Sequence, residues 1–339
     1  MLTIITILVF IIIALLVYRY FSGPSLPPET DSIIEHVIHA ETPNLIVGKT
    51  GFASSNGLEI WYEMIIPEVS PKGTVLLLMS MAGNALFWPP KFINALVNAG
   101  YQVIRYDHRG TGMSDWVTNW DRNNPYTLLD MANDAIAVLD ELDIKQAHLI
   151  GLSMGGMVAQ EVAINHSTRV ASLTLIMTSG YIGDPDVPGL SSRYFLSSLI
   201  KGLPLLKYRL IGGEKNLIKE VIAKAITAPG YEGLDIKEMA ELVLFDIRKR
   251  KGINLKALFQ HQTAISISGS RFEGLKTLSM PTLVIHGTED QINPIEHGKK
   301  LVEVIPNAKG LWLDGVGHGF PVPDMETLLT KITAHLEAS

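Results

Sequence analysis

The stretch "AHLIGLSMGGMVAQEVA" (147–163) decides the fold. It opens with a short apolar run ending at Ile150, passes through Gly151, Ser153, Gly155 and Gly156, and continues with small and apolar residues at helical spacing. The first part reads as a buried parallel strand and the last as a helix. Within the junction "GLSMG" (151–155) satisfies G-x-S-x-G. When a strand turns sharply into a helix, a serine at the turn is forced into a strained conformation with its hydroxyl above the sheet. Glycines are expected around it because side chains there would collide with the neighbouring strand and helix. The helix N-terminus adds amides and partial positive charge. A serine that merely caps the helix would fit the same few residues, so its partners have to decide.

A serine hydroxyl is a weak nucleophile until a base takes its proton, and the base needs an acid to fix its tautomer. Two later strands supply candidates. "LVIHGTEDQINP" offers Asp290 just past a buried strand, and "LWLDGVGHGFP" offers His318 between glycines past the next one. The chain order Ser153, Asp290, His318 places each residue beyond the C-terminal end of a strand, as a hydrolytic triad on a parallel sheet requires. Glu289 is an alternative acid, His286 an alternative imidazole that precedes the acid in sequence, and Asp314 an alternative orienting group at a turn. A tetrahedral intermediate also needs N–H donors. The Met154 amide opens the helix, and Gly83, in the turn after "GTVLLLMS", is predicted to present the second.

Around these motifs, apolar runs of strand length alternate with amphipathic stretches. The strands are "LEIWYEMI", "GTVLLLMS", "YQVIRYD", "AHLIG", "ASLTLIM", "PTLVIHG" and "AKGLWLD". Helices are predicted in "PPKFINALVNAG", "YTLLDMANDAIAVLDELD", 153–165, "PIEHGKKLVEVI" and after Pro323. This alternation implies an α/β protein with a mostly parallel sheet covered on both faces. The segment 181–269 lacks strand runs and is leucine-rich, so it is expected to fold as a helical cap over the C-terminal edge of the sheet. "RKRK" (248–251) inside it reads as a solvated helix end, with a lipid-headgroup patch as the alternative.

The chain has 339 residues, no cysteine and a net charge of −6, which excludes disulfides and thiolate chemistry and disfavours nucleic acid as a partner. With 47% hydrophobic and 18% charged residues it is not disordered. Residues 2–21 contain no acid and one base, Arg19, and as a helix would reach about 30 Å, the thickness of a hydrocarbon core. A transmembrane anchor over 1–22 is therefore expected. A cleaved signal is the weaker reading, since a basic n-region and a small-x-small pair are both missing. Arg19 favours a cytoplasmic catalytic domain and the terminal amine opposes it. "SGPSLPPETDS" then reads as the start of an extended linker over 23–44. His36 and His39, one helical turn apart, have no evident third metal ligand and are read as surface histidines.

Taken together, "MAGNALFWPPKF", "VIRYDHRGTGMSD", "HLIGLSMGGMVAQ" and "LVIHGTEDQINPIEHGKKL" resemble the α/β-hydrolase family from about Gly51 to the C-terminus, and within it the branch of aclacinomycin methylesterase and related bacterial carboxylesterases. The resemblance implies an eight-stranded, mostly parallel sheet with core segments 45–180 and 270–339. It also implies a nucleophile at Ser153, an acid at Asp290, a base at His318 and oxyanion amides at Gly83 and Met154. Asp107 and Arg109 are implied to be loop-fixing. In this fold the turn after the strand usually begins His-Gly; here Met81-Ala82 stand instead. No metal or organic cofactor is implied, and the expected partner is a small-molecule ester, apolar or lipophilic. Rival readings are a lactonase, a C–C bond hydrolase or a cofactor-free haloperoxidase with the same triad, and a catalytically silent binding protein of this fold.

Overall fold

In the computed structural model, residues 2–22, 26–190, 196–197, 200, 202–227, 234–320 and 325–339 are described. The strands are β1 (Lys49–Ser55), β2 (Leu58–Ile65), β3 (Gly73–Leu78), β4 (Tyr101–Tyr106), β5 (Ala147–Leu152), β6 (Val170–Ile176), β7 (Thr282–Gly287) and β8 (Lys309–Leu313). They form one sheet in the order β1-β2-β4-β3-β5-β6-β7-β8. Only β2 runs against its neighbours, and β3 through β8 pair in parallel. β5 and β7 are buried along their whole length, which is why their sequences are apolar runs without alternation. The eighth strand is β1, "KTGFASS". Its exposed, polar edge residues give it no apolar run to be found by.

In chain order the helices are α1 (Leu2–Ser22), α2 (Thr30–His39), α3 (Pro90–Asn98), α4 (Leu128–Glu141) and α5 (Met154–Asn165). Among the described residues the cap contains α6 (Leu206–Ile211), α7 (Gly213–Thr227), α8 (Ile236–Lys249) and α9 (Leu255–Ile267). The chain then continues with α10 (Phe272–Leu275), α11 (Ile295–Val304) and α12 (Met325–Glu337). Two cores sandwich the sheet. Leu128 and Met131 of α4, Met157 and Val158 of α5 and Leu301 of α11 fill one face, and Phe92 of α3 and Ile332 of α12 fill the other. α4 starts where Thr127 and Asp130 close a reciprocal capping box.

The N-terminal region departs from expectation in two ways. The extended linker predicted over 23–44 contains α2, whose Thr30, Ile34 and Val37 lie on one helical face and are buried. Ile34 and Val37 pack with Ile218 and Ile222 of α7 and Val243 of α8, each burial contributing about 1.5–3 kcal/mol. Prolines at 27 and 28 masked this helix, because they mark its start and not a continuing coil. The other departure concerns the span. Among the described residues, no helix is long and apolar enough to cross a membrane. His36 and His39 are exposed on α2, with His39 Nδ1 2.8 Å from the Glu35 carbonyl.

Within "RKRK", Arg248 and Lys249 end α8 and are exposed, as is Lys251, so the solvated helix end holds for these three; Arg250 alone turns inward. Arg250 is buried, ion-paired to Asp107 and 3.4 Å from Asp246, with its guanidinium over the Trp61 ring. Arg248 closes on Glu214 at 2.7 Å and on the Ile38 carbonyl at 3.1 Å, tying α8 to α7 and α2. Arg250 is thus spent inside the fold, and Arg248 on an ion pair at its surface.

Candidate active site

The turn from β5 into α5 carries Ser153 at φ 54°, ψ −118°, a conformation that costs an L-residue about 1–3 kcal/mol. Its backbone is held on both sides: Ser153 N–H donates to the Ile176 carbonyl at 2.8 Å, and the Thr178 hydroxyl donates to the Ser153 carbonyl at 2.6 Å. The glycines are sterically required. A Cβ at Gly155 would stand 2.0 Å from the Leu78 carbonyl oxygen, one at Gly151 2.4 Å from the Gly155 carbonyl oxygen, and one at Gly156 2.7 Å from the Thr178 side chain.

The loops after β7 and β8 bring Asp290 and His318 to this turn. His318 Nδ1 lies 2.7 Å from Asp290 Oδ2, and its Nε2 lies 3.0 Å from Ser153 Oγ. A carboxylate can only accept, so Nδ1 carries the proton, and Nε2 is left to accept from the serine hydroxyl. The other carboxylate oxygen, Oδ1, accepts from the Ile292 and Asn293 amides, each at 2.9 Å. Burial by itself would raise the Asp290 pKa. Hydrogen bonds and charge from His286 and His318 outweigh it and hold the carboxyl well below the usual carboxylate range.

The alternatives fall into other roles. Glu289 is exposed. Asp314 accepts from the Thr288 hydroxyl at 3.2 Å. His286 is buried, donates to the Asn293 carbonyl at 2.7 Å, and comes within 3.4 Å of Asp290, so it buttresses the acid. Asp107 and Arg109 hold loops. Asp107 accepts from the Ala85 and Met113 amides at 2.8 Å, and Arg109 grips Asp134 through two 2.7 Å contacts.

Gly83 does not stand as predicted. Its N–H donates to the Ser80 carbonyl at 3.1 Å, closing a turn, and cannot face a substrate without giving up that bond. Ala82 N–H is taken by His261 Nδ1 at 3.1 Å. The Met81 and Met154 N–H groups have no hydrogen-bond partner among the described residues. Sequence reasoning missed Met81 because Gly83 is the residue whose amide is sterically easiest to expose.

Two cavities flank the hydroxyl, and Met81 lines both. One, of about 180 Å³, contains Ser153 and is walled by Met157, Ile182, Leu190 and Ile265. The other, of about 340 Å³, contains His318 and is walled by Phe87, Val221, Met239 and Phe320. The second runs beneath α7 and α8, so the cap forms its roof. A third cavity, near Leu234 and Met325, carries no nucleophile. No group of three or more metal-ligating side chains occurs among the described residues.

This assembly, a strained serine with an imidazole and a buried carboxylate behind it, has counterparts among known proteins. The family described as alpha/beta hydrolase fold matches residues 73–322. The rhodomycin D methylesterase of Streptomyces sp. strain C5 is 30% identical over 310 residues, covering 86% of this chain and 99% of its own length. A putative carbamate hydrolase of Caulobacter segnis is 26% identical, with 83% and 97% covered. Among solved structures, the enol-lactonase of Burkholderia xenovorans LB400 superposes with a TM-score of 0.62 at 25% identity, covering 85% of this chain and 100% of that one. By sequence over most of its length, and by its sheet order and strand-to-helix serine turn, the chain belongs to the α/β-hydrolase family.

Proposed function

We propose that the protein is a carboxylic ester hydrolase that works through an acyl-enzyme on Ser153. The observation that carries this reading is the continuous hydrogen-bonded run from Ser153 Oγ through both ring nitrogens of His318 to Asp290. His318 Nε2 takes the hydroxyl proton as Oγ attacks the ester carbonyl, and Asp290 stabilises the imidazolium that forms. The oxyanion is received by the Met154 and Met81 amides, each donor contributing about 2.7–4 kcal/mol to the transition state. Collapse returns the proton from Nε2 to the leaving alkoxide. Water then attacks the acyl-enzyme with His318 again as base, and Ser153 is regenerated. The ester homologue supports this chemistry. Carbamates and lactones undergo the same acyl transfer, and the relatives named for them make these the second reading.

The apolar walls of both cavities favour apolar or lipophilic esters. Association with a membrane through α1 accords with this. Ile5, Ile7, Phe10, Ile13, Leu15 and Tyr18 are all at least half exposed, which in water would leave a large apolar surface unburied. Two measurements test the proposal. A p-nitrophenyl ester series of increasing chain length should show turnover that rises beyond acetate, and a fluorophosphonate probe should add its mass to the peptide containing Ser153. Labelling elsewhere, or none, rejects the nucleophile. For the membrane, the full chain should sediment with vesicles and a chain lacking 2–22 should not.

A further inference from the structure

The turn 80–83 raises a question of its own. Gly83 N–H bonds to the Ser80 carbonyl, and Ala82, at the third position, has φ 59°. A positive φ there is the signature of a type II turn, which ordinarily takes glycine. Type I and type II turns differ by a flip of the central peptide, here the one joining Met81 to Ala82, and an alanine gives no reason to prefer the type II form. Something outside the turn has to hold it.

His261 does so. It stands on α9, in the cap, and its Nδ1 is 3.1 Å from the Ala82 N. Its Nε2 is 2.9 Å from the Arg109 carbonyl oxygen. A carbonyl only accepts, so Nε2 carries the proton, and Nδ1 is an acceptor aimed at the central peptide of the turn. The residue is fully buried, with His108 and Tyr126 edge-on to its ring and Arg109 alongside. Burial, reinforced by the Arg109 charge and only partly opposed by the bond to the Arg109 carbonyl, brings its pKa down to about 4, so the acceptor form persists at neutral pH.

We infer that His261 is a positioning residue for this site: by accepting the Ala82 N–H it pins the turn 80–83, and with it the segment that carries the Met81 N–H. A cap side chain thereby sets one wall of the oxyanion pocket. The inference rests on the acyl-transfer reading of Ser153.

The two bonds can be separated by substitution. Asparagine places a carbonyl oxygen where Nδ1 stands and keeps the acceptor for Ala82. Glutamine places an N–H donor where Nε2 stands and keeps only the bond to Arg109. H261N should retain kcat within ~3-fold, while H261Q should lose ~10–100-fold in kcat with KM nearly unchanged, somewhat less than deleting an oxyanion donor outright. Affinity for a trifluoromethyl ketone, which forms the tetrahedral adduct, should fall in H261Q by the same factor as kcat/KM. A residue that only packs cap on core would instead lower both variants in proportion to their melting temperatures, and that result, or wild-type kcat in H261Q, overturns the inference. Should H261Q fail to fold, amide exchange in the wild type decides: the Ala82 N–H is expected to be protected ~100-fold or more over a free loop amide, and free exchange overturns the lock. A wild type that neither hydrolyses esters nor labels at Ser153 brings down the acyl-transfer reading itself. An active wild type with an unaffected H261Q brings down only the role of His261.

Discussion

His318 Nε2 lies 3.0 Å from Ser153 Oγ, although the two residues are 165 positions apart in the chain. The contact exists because both sit past the C-terminal ends of parallel strands, β8 and β5, where a doubly covered sheet opens its crevice. With Ser153→Ala the base has nothing to activate, and ester turnover is expected to fall by about 10⁶-fold. The fold should survive, because the backbone bonds at 153 do not use the hydroxyl. Initial rates on a p-nitrophenyl ester, together with a melting curve, check both halves.

Asp290→Asn probes the tautomer. Asparagine keeps an oxygen for the Ile292 and Asn293 amides, so the loop should hold. Its NH₂ would then face His318 Nδ1, forcing that nitrogen to accept and moving the ring proton to Nε2, where it opposes the serine proton. A loss of about 10⁴-fold in kcat with little change in KM is expected. If Asp290→Asn retained more than about a tenth of wild-type kcat, orientation of the ring by this carboxylate would be refuted.

Residues 147–163 made the sheet, the turn and Ser153 legible because each imposes a strong local constraint: an apolar run for a strand buried on both faces, and glycines where a Cβ would sit 2.0–2.4 Å from backbone oxygen. Asp290 and His318 were legible from their place after strands. What was not legible depends on tertiary contact. β1 is a polar edge strand, α2 is a helix only in company with the cap, and Arg250 reads as surface charge until Asp107 meets it. The spending of the Gly83 and Ala82 amides cannot be seen from composition, since it depends on a carbonyl three residues back and on an imidazole 179 residues away.

The glycine at 155 supports a sharper prediction than the one at 83. Gly155→Ala drives its Cβ into the backbone at the end of β3, at Leu78 and the adjoining Met79, where no side chain can swing aside. The turn and β3 must separate, and a destabilisation of about 3 kcal/mol or more, at the large end for a point substitution, is expected along with loss of activity. A urea midpoint equal to wild type would show that the turn has slack absent from this geometry.

Asp246, on α8, couples stability to pH through the cap. Burial raises its pKa, with the charge of Asp107 adding to the effect and Arg250 opposing it, to about 6 from an ordinary 3.8. In the unfolded chain the carboxyl ionises near 3.8. In the folded protein it keeps its proton until about pH 6. Between these values the folded state binds more protons than the unfolded one, so this residue's contribution falls as pH rises and is flat above that window. The difference corresponds to on the order of 3 kcal/mol. Asp246→Asn mimics the protonated form, keeps an oxygen for Arg250, and leaves Arg250 paired with Asp107. It should approach wild type as pH falls below about 3.8, be more stable than wild type at pH 7.5, and show a shallower decline between them. Melting temperatures of the two proteins across that range decide, and parallel curves would mean that Asp246 is ionised in the folded protein throughout.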